Sequence, residues 1–381
     1  MPSNSGSREI LCVVGARPNF MKIAPIMRAF AGDASGLSAR LLHTGQHYDA
    51  SMKHAFFDQL HIPQPDIDLE VGSGTHAEQT ADIMKRFEPV LDTLKPRAVL
   101  VVGDVNSTIA CALVAVKKGI PVLHVEAGLR SGDRSMPEEI NRVLTDQLSD
   151  LLFTTELSAR DNLLREGIAG SGIHFVGNVM IDTLFFNLGS AVPAARTFEQ
   201  LGAFTDQEIP LDYGLLTLHR PSNVDDPVVL ERLLRVLCDI SQSTPLVFPL
   251  HPRTRMRINA SGLNELLEGA RITTTAPLGY LEMLGLMKDS RFVLTDSGGI
   301  QEETTALGVP CITLRENTER PITVTQGSNT VVGTDPEKIV ECYTDVMSTG
   351  GKQGRTPELW DGAAAERIVA IVNRWSEATA A

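Results

Sequence analysis

The sequence predicts an α/β protein made of two Rossmann-like, doubly wound domains in tandem, and three observations predict it. Short β-branched runs alternate with helical patterns along almost the whole chain, and such alternation builds parallel sheets with helices on their faces. The alternation breaks over Gly189 to Asp212, where Ala, Pro, Gly and charge mix without a sustained period, as a connection between domains would. The 381 residues also exceed the roughly 150 of a common single domain.

The first series of strands reads Ile10 to Gly15, Leu41 to Gly45, Ala98 to Asp104, Val122 to Ala127, Leu151 to Thr155 and His174 to Gly177. Asp66 to Val71 alternates as an edge strand would, with the carboxylates of Asp66 and Asp68 turned to solvent. Thr75-x-x-Glu78 and Ser158-x-x-Asp161 read as capping boxes, and Pro18 and Pro137 suit first-turn positions. The second series reads Gly214 to His219, Leu246 to His251, Arg271 to Thr275, Phe292 to Asp296 and Cys311 to Leu314. The domains are placed at 8–185 and 186–362, with a last helix over 363–377 assigned to the first. Two such domains leave an interdomain cleft outside the carboxyl ends of their strands, where open α/β sheets bind ligands.

Composition narrows the partners. Lys+Arg total 34 against Asp+Glu 47, a net charge of 34 − 47 = −13, which speaks against nucleic acid and anionic membranes. Hydrophobic residues make up 43%, yet no run approaches the roughly 18 apolar residues of a membrane helix. Cys12, Cys111, Cys238, Cys311 and Cys342 are spaced far outside C-x-x-C patterns. Met1 to Arg8 lacks the layout of a signal peptide, so a cytoplasmic protein is expected. Walker A, G-x-S-x-G and H-E-x-x-H patterns are missing, and no metal site is indicated. Gly72-Ser-Gly74-Thr-His-Ala77 matches a short dinucleotide pattern, but the run before it reads as an edge strand, which argues against a nicotinamide cofactor.

Polar residues at strand ends are therefore the candidates. Asp104 ends one buried strand, Glu126 ends the next, and Glu138 and Glu139 open the helix beyond. Singly, Asp104 could cap its helix and the two glutamates could complement a helix N-terminus. Three acidic sites converging on one cleft point to general acid/base work. His219 ends the first strand of the second domain, and Arg220 follows it. Ser297-Gly298-Gly299 joins a strand to a helix, a junction where phosphate can approach backbone N–H groups and the helix dipole. Glu302 and Glu303 follow and could accept sugar hydroxyls. Arg17 and Lys22 stand at the matching junction of the first domain, where a guanidinium suits phosphate.

In this order, Gly15-Ala-Arg17-Pro18, Thr44-Gly-Gln46-His47, Val102-Gly-Asp104, His124-Val-Glu126-Ala-Gly128-Leu-Arg130, Pro137-Glu138-Glu139 with Asn141-Arg142, Leu218-His219-Arg220, Asp296-Ser-Gly-Gly-Ile-Gln-Glu-Glu303 and Thr318-Glu-Arg320-Pro321 form one signature. It resembles the non-hydrolysing UDP-N-acetylglucosamine 2-epimerases, from about residue 8 to 375. The resemblance implies a GT-B-like pair of domains, no NAD, no metal and a homodimer. It also implies interconversion of UDP-N-acetylglucosamine and UDP-N-acetylmannosamine, by anti elimination of UDP to a 2-acetamidoglucal and re-addition. By motif, Asp104, Glu126 and Glu138 match the acid/base positions, with the face served by each left open. His219 matches the histidine that assists UDP departure. Arg17 and Lys22 would approach the diphosphate, Ser297, Gly298 and Gly299 would cradle it, Glu303 would accept the ribose hydroxyls, and Arg320 would lie near the nucleotide. Domain closure would protect the glycal from water.

The chain departs from that pattern in places. Asn19 stands where many members have Glu, the loop ending Arg134-Ser135-Met136 is short, and Gln46-His47 is followed by Met52 rather than by a nearer Met. An expected arginine near Glu70 is missing, so allosteric activation by substrate is expected to be weak or absent. Epimerisation of another UDP-2-acetamido sugar, such as a 2,3-diacetamido uronate, is the alternative activity. A GT-B glycosyltransferase would leave two of the three acids without work; a sugar-nucleotide sensor and a hydrolysing epimerase complete the set.

Overall fold

The computed structural model describes residues 7–33, 36–45, 62–202 and 212–380, and of Arg17, Pro18 and Ala380 the backbone alone. The chain divides into two compact units, Met1–Phe186 with Glu358–Ala381, and Asn187–Pro357.

Unit 1 holds seven strands: β1 (Glu9–Val14), β2 (Ser38–His43), β3 (Ile67–Asp68), β4 (Ala98–Val102), β5 (Val122–Val125), β6 (Leu151–Thr154) and β7 (Ile173–Phe175). All pair in parallel, in the order β3-β2-β1-β4-β5-β6-β7. Every residue of β4 and of β5 is buried, which is why these strands read as unbroken apolar runs: helices cover both faces of a parallel sheet. Helix His76–Leu94 shows the helical counterpart. It buries Ile83, Phe87 and Leu91 at a spacing of four, and Thr75 and Glu78 close the expected capping box.

The last helix, Ala364–Ala380, belongs to this unit for a visible reason. Asp182 accepts the backbone N–H groups of Ala364 and Ala365 at 3.1 and 2.7 Å, and buried Trp360 donates from Nε1 to the Thr155 carbonyl at 3.1 Å. These bonds satisfy the helix's first donors and fix where the returning chain docks.

Unit 2 repeats the plan with β8 (Gly214–Thr217), β9 (Leu246–Pro249), β10 (Ile272–Thr275), β11 (Phe292–Thr295), β12 (Cys311–Thr313) and β13 (Asn329–Val331). The order is β10-β9-β8-β11-β12-β13, again parallel. In each unit the chain builds outward on one side of its first strand and then crosses to the other. The direction of winding therefore reverses between β1 and β4 in unit 1 and between β8 and β11 in unit 2. At such a switch point the loops leave in opposite directions and open a crevice at the carboxyl ends of the strands.

Several local expectations are corrected. Ser158-x-x-Asp161 is not a capping box: helix Leu157–Arg165 is preceded by Glu156, and Ser158 Oγ bonds the Glu156 carboxylate at 2.5 Å instead. The irregular stretch after Gly189 contains helix Ala194–Leu201, too short for periodicity to stand out, anchored by fully buried Phe198 edge-on to Tyr213. Asp66 and Asp68 do not simply face solvent. Asp66 accepts the Leu41 N–H at 2.8 Å, and Asp68 lies 3.0 Å from His43 Nδ1, so both tie β3 to β2. Strand β13 gave no distinct apolar run. No helix among the described residues is long and apolar enough to cross a membrane.

Candidate active site

In unit 1 the switch point carries two acids on neighbouring tips. Gly103 follows β4 at φ 67, and a Cβ there would come within 2.9 Å of Lys22 Nζ and 3.1 Å of Asn19 Nδ2. Only glycine meets both demands. Asn19 fills the space so created: it accepts the Ala16 N–H at 3.1 Å and donates to the Val102 carbonyl at 2.9 Å, joining the β1 turn to the β4 tip.

Glu126 follows β5, is 3% exposed, and holds φ 68. A left-handed backbone in a non-glycine residue costs about 1 to 3 kcal/mol and concentrates at functional sites. Its carboxylate forms an ion pair with buried Lys22, which helix Arg17–Gly32 delivers. Lys22 thus lies against an acid. Arg17 opens that helix, and its side chain lies outside the described residues, as do Gln46, His47 and Met52. Arg86, from helix His76–Leu94, donates to the Leu69 and Glu70 backbone carbonyls at 2.7 Å each.

Asp104 does not cap the helix that follows it, since that helix's N-cap is Val105, without a side-chain cap. Asp104 Oδ2 instead accepts Arg142 Nε and Nη2 at 2.9 and 2.7 Å, and Asn141 donates to its carbonyl at 2.9 Å. Arg142 is held in turn by Glu139 at 2.7 Å. Buried Glu139 also accepts the N–H groups of Ser131 and Gly132 at 3.0 and 2.9 Å. Burial pushes the Glu139 carboxyl up, but those two backbone donors and the guanidinium outweigh it, and the group lies below the usual carboxylate range. Glu138, one residue earlier, is half-buried and makes no side-chain hydrogen bond or ion pair with the described residues. The adjacent glutamates thus separate: Glu139 anchors the loop and Arg142, while Glu138 keeps its carboxylate available. His124 braces this floor, with Nδ1 2.6 Å from Asp146 Oδ1 and Nε2 2.9 Å from the Gly103 carbonyl.

In unit 2 the switch point pairs His219, beyond β8, with Asp296, beyond β11. Their Nδ1 and Oδ1 are 2.8 Å apart. Asp296 is fully buried, and burial alone would raise its pKa. The His219 ring and the N–H groups of Arg220 and His219 outweigh that and hold it below the usual range. The His219 side chain keeps 37% exposure.

Helix Gly298–Leu307 starts from the β11 tip behind Ser297, whose side chain makes no cap hydrogen bond. Its first N–H groups have no intrahelical acceptors, as an anion site requires. Glu303 is buried and accepts the Tyr280 hydroxyl at 3.0 Å. Burial raises its carboxyl to about 7, against the Tyr280 bond, which lowers it, and with the Glu302 charge, which raises it. Arg320 pairs with Glu302, Nε to Oε1 at 2.9 Å. Glu319, nearly buried, lies beside Arg315, Arg220 and Arg320; burial raises it, but the three guanidinium charges draw it down to about 2.

Asp104, Glu126 and Lys22 thus share one switch point, and His219 and Ser297 to Gly299 share the other. Sequence reading did not assign roles to Asn19, Arg142, Asp296 or Glu319. For Arg142 a signal existed, its spacing of three from Glu139 on one helix. Asp296 becomes visible only when strands distant in sequence are paired, whereas Asn19 and Glu319 also have local partners, three residues away at Ala16 and four away at Arg315.

A family model described as UDP-N-acetylglucosamine 2-epimerase matches residues 31–373. A UDP-N-acetylglucosamine 2-epimerase of Methanococcus maripaludis is 42% identical over 96% of this chain and 98% of its own. A UDP-2,3-diacetamido-2,3-dideoxy-D-glucuronate 2-epimerase of Pseudomonas aeruginosa is 44% identical over 87% of this chain and 90% of its own. The crystal structure of the Methanocaldococcus jannaschii UDP-GlcNAc 2-epimerase, in complex with UDP-GlcNAc and UDP, superposes with a TM-score of 0.85 at 42% identity, covering 96% of this chain and 99% of that one. With so much of its length matched, and with the α/β class of the solved 2-epimerases, the chain belongs to the UDP-N-acetylglucosamine 2-epimerase family of isomerases.

Proposed function

We propose that the chain interconverts UDP-N-acetylglucosamine and UDP-N-acetylmannosamine by anti elimination and re-addition of UDP. One carboxylate takes the C2 proton while the C1–O bond to UDP breaks, giving 2-acetamidoglucal. A carboxylic acid on the other face then returns a proton to C2, and UDP re-forms the C1–O bond. A C2 hydrogen is a poor acid, so its loss must be coupled to a good leaving group. The net change is inversion at one carbon, with no change in oxidation state and no co-reactant.

The observation that carries this reading is the pair Asp104 and Glu126 on adjacent strand tips, each oriented by its own cation. Glu138, unengaged by the described residues, completes the acid/base set. His219, backed by a buried carboxylate, is suited to hydrogen-bond the departing UDP oxygen. Arg17 serves the diphosphate from unit 1, Ser297, Gly298 and Gly299 cradle it at a helix N-terminus, Glu303 accepts ribose hydroxyls, and Arg320 lies near the nucleotide. Lys22, paired with Glu126, approaches the diphosphate from the same switch point.

The test is proton NMR of UDP-N-acetylglucosamine incubated with the protein in deuterated water. The manno product should form with deuterium at C2 in both epimers. Neither label nor product would refute the reading. The Pseudomonas relative is as similar in identity as the Methanococcus one, which supports a second substrate, the diacetamido uronate; turnover of the two sugars side by side decides between them.

A further inference from the structure

Three strand tips of unit 2, those of β8, β11 and β12, place Arg220, Ser297-Gly298 and Arg315 side by side, and Glu319 joins them. Glu319 Oε1 lies 3.4 Å from Arg220 Nη2, and Oε2 lies 2.8 Å from Arg315 Nη2. A Cβ on Gly298 would meet Oε1 at 2.6 Å, so this carboxylate sits directly over the first residue of helix Gly298–Leu307. Arg315 is 8% exposed and Glu319 4%.

The cluster has donors to spare. Arg220 Nε and Arg315 Nη1 are buried and have no acceptor among the described residues. A buried guanidinium N–H without an acceptor is costly, and a buried ion cluster is rarely the cheapest way to stabilise a fold. Three arginines (220, 315, 320) face three acids (296, 302, 319), so the charges balance, and what the cluster lacks is acceptors for its remaining donors among the described residues. Leftover planar donors gathered beside a helix N-terminus suit a ligand with several anionic oxygens.

We infer that Arg220 and Arg315 are diphosphate-binding residues and that Glu319 is the positioning residue that holds both guanidinium groups at the N-terminus of helix Gly298–Leu307. The inference rests on the nucleotide reading above and adds two cations and their anchor to it. Each arginine keeps one face on Glu319 and offers its remaining N–H to phosphate oxygen. Glu319 contributes by geometry, since a guanidinium fixed in advance loses less entropy when it closes on its ligand.

The test measures binding of UDP and of uridine to the intact chain and to Arg315→Gln, Arg315→Lys and Glu319→Gln. Arg315→Gln should weaken UDP by about tenfold or more, as loss of a charge-assisted pair does, and leave uridine within about twofold. Arg315→Lys should recover part of that loss, and Glu319→Gln should show a smaller loss, also confined to UDP. A merely structural role would move UDP and uridine together along with the melting temperature, and would overturn the inference. So would a variant chain that binds UDP as tightly as the parent. A parent chain that ignores UDP would take down the nucleotide reading itself, and this inference with it.

Discussion

His219 Nδ1 stands 2.8 Å from Asp296 Oδ1, and that same carboxylate accepts the N–H groups of His219 and Arg220, each at 2.9 Å, and Asn223 Nδ2 at 3.2 Å. Strands β8 and β11 are neighbours in the sheet although their tips are 77 residues apart in sequence. With so many donors converging on it, Asp296 acts as an acceptor, and the hydrogen on the near ring nitrogen belongs to Nδ1. The ring orientation is then fixed, and Nε2 is the position left for proton exchange with a ligand.

Asp296→Asn therefore tests whether His219 works through this dyad. An amide can accept the backbone bonds but offers its NH2 to a nitrogen that already carries hydrogen, which favours the wrong tautomer. Turnover should drop by roughly 100-fold or more, while UDP affinity changes far less. Steady-state kinetics beside direct UDP binding gives the split; an unchanged turnover number would remove Asp296 from the mechanism.

Lys22 and Glu126 make the reciprocal case in unit 1, where both members of an ion pair are buried. Lys22→Met leaves a carboxylate buried at 3% exposure without its cation, and removing one partner of such a pair costs about 3 to 5 kcal/mol. Chemical denaturation should register that loss. The double variant Lys22→Met with Glu126→Gln should recover much of the stability and none of the epimerisation. Recovery of neither, or no loss in the single variant, would contradict the pairing.

The fold was legible because parallel strands buried on both faces cannot hide: β4 and β5 are apolar throughout, and Asp104 and Glu126 interrupt those runs at their ends. Helix Ala194–Leu201 and strand β13 were not, because eight and three residues carry too little period to separate them from loop. Of the site, the acids and the glycine turn could be read from strand ends. The partners could not, since Asp296 reaches His219, and Arg142 reaches Asp104, only after the sheets pair residues far apart in sequence. Asn19 illustrates the difference. As a letter it is a departure from the family pattern; in place it joins two strand tips through Ala16 and Val102.

Glu303 gives a pH dependence with a definite sign. Its carboxyl is raised from 4.5 to about 7, first by burial, so the folded chain binds more protons than the unfolded one between those values. Its contribution to stability is full below the unfolded value and is lost as pH rises through about 7. The ionised carboxylate is the stronger acceptor for ribose hydroxyls, so affinity for uridine, which carries no titrating phosphate, should strengthen as pH rises through about 7. Glu303→Gln should flatten that dependence. Because the Tyr280 hydroxyl lowers the group, Tyr280→Phe should move the midpoint upward. A uridine affinity flat with pH in the parent chain would separate Glu303 from the ribose.

Glu138 and Glu139 are adjacent in the first turn of helix Pro137–Leu148, yet they should fail in opposite ways. Glu139 is 3% exposed and holds three donors, the N–H groups of Ser131 and Gly132 and the Arg142 guanidinium. Glu139→Ala strands all of them, and leaving buried donors unsatisfied costs about 1 to 3 kcal/mol each when water cannot replace the acceptor. The melting temperature should fall by several degrees, and the loss of activity should follow the loss of folded protein together with a displaced Arg142. Glu138 engages none of the described residues, so Glu138→Gln removes no bond on which the fold depends. Its melting temperature should match the parent, and its turnover should fall by roughly 100-fold or more, the usual scale of a lost acid or base. Deuterium uptake at C2 sharpens the contrast, because a variant lacking one proton carrier can still exchange on the face served by the other. If Glu138→Gln instead melts early and Glu139→Ala keeps both its stability and its rate, the division of labour read from their neighbours is reversed, and the acid/base set must be rebuilt around Glu139.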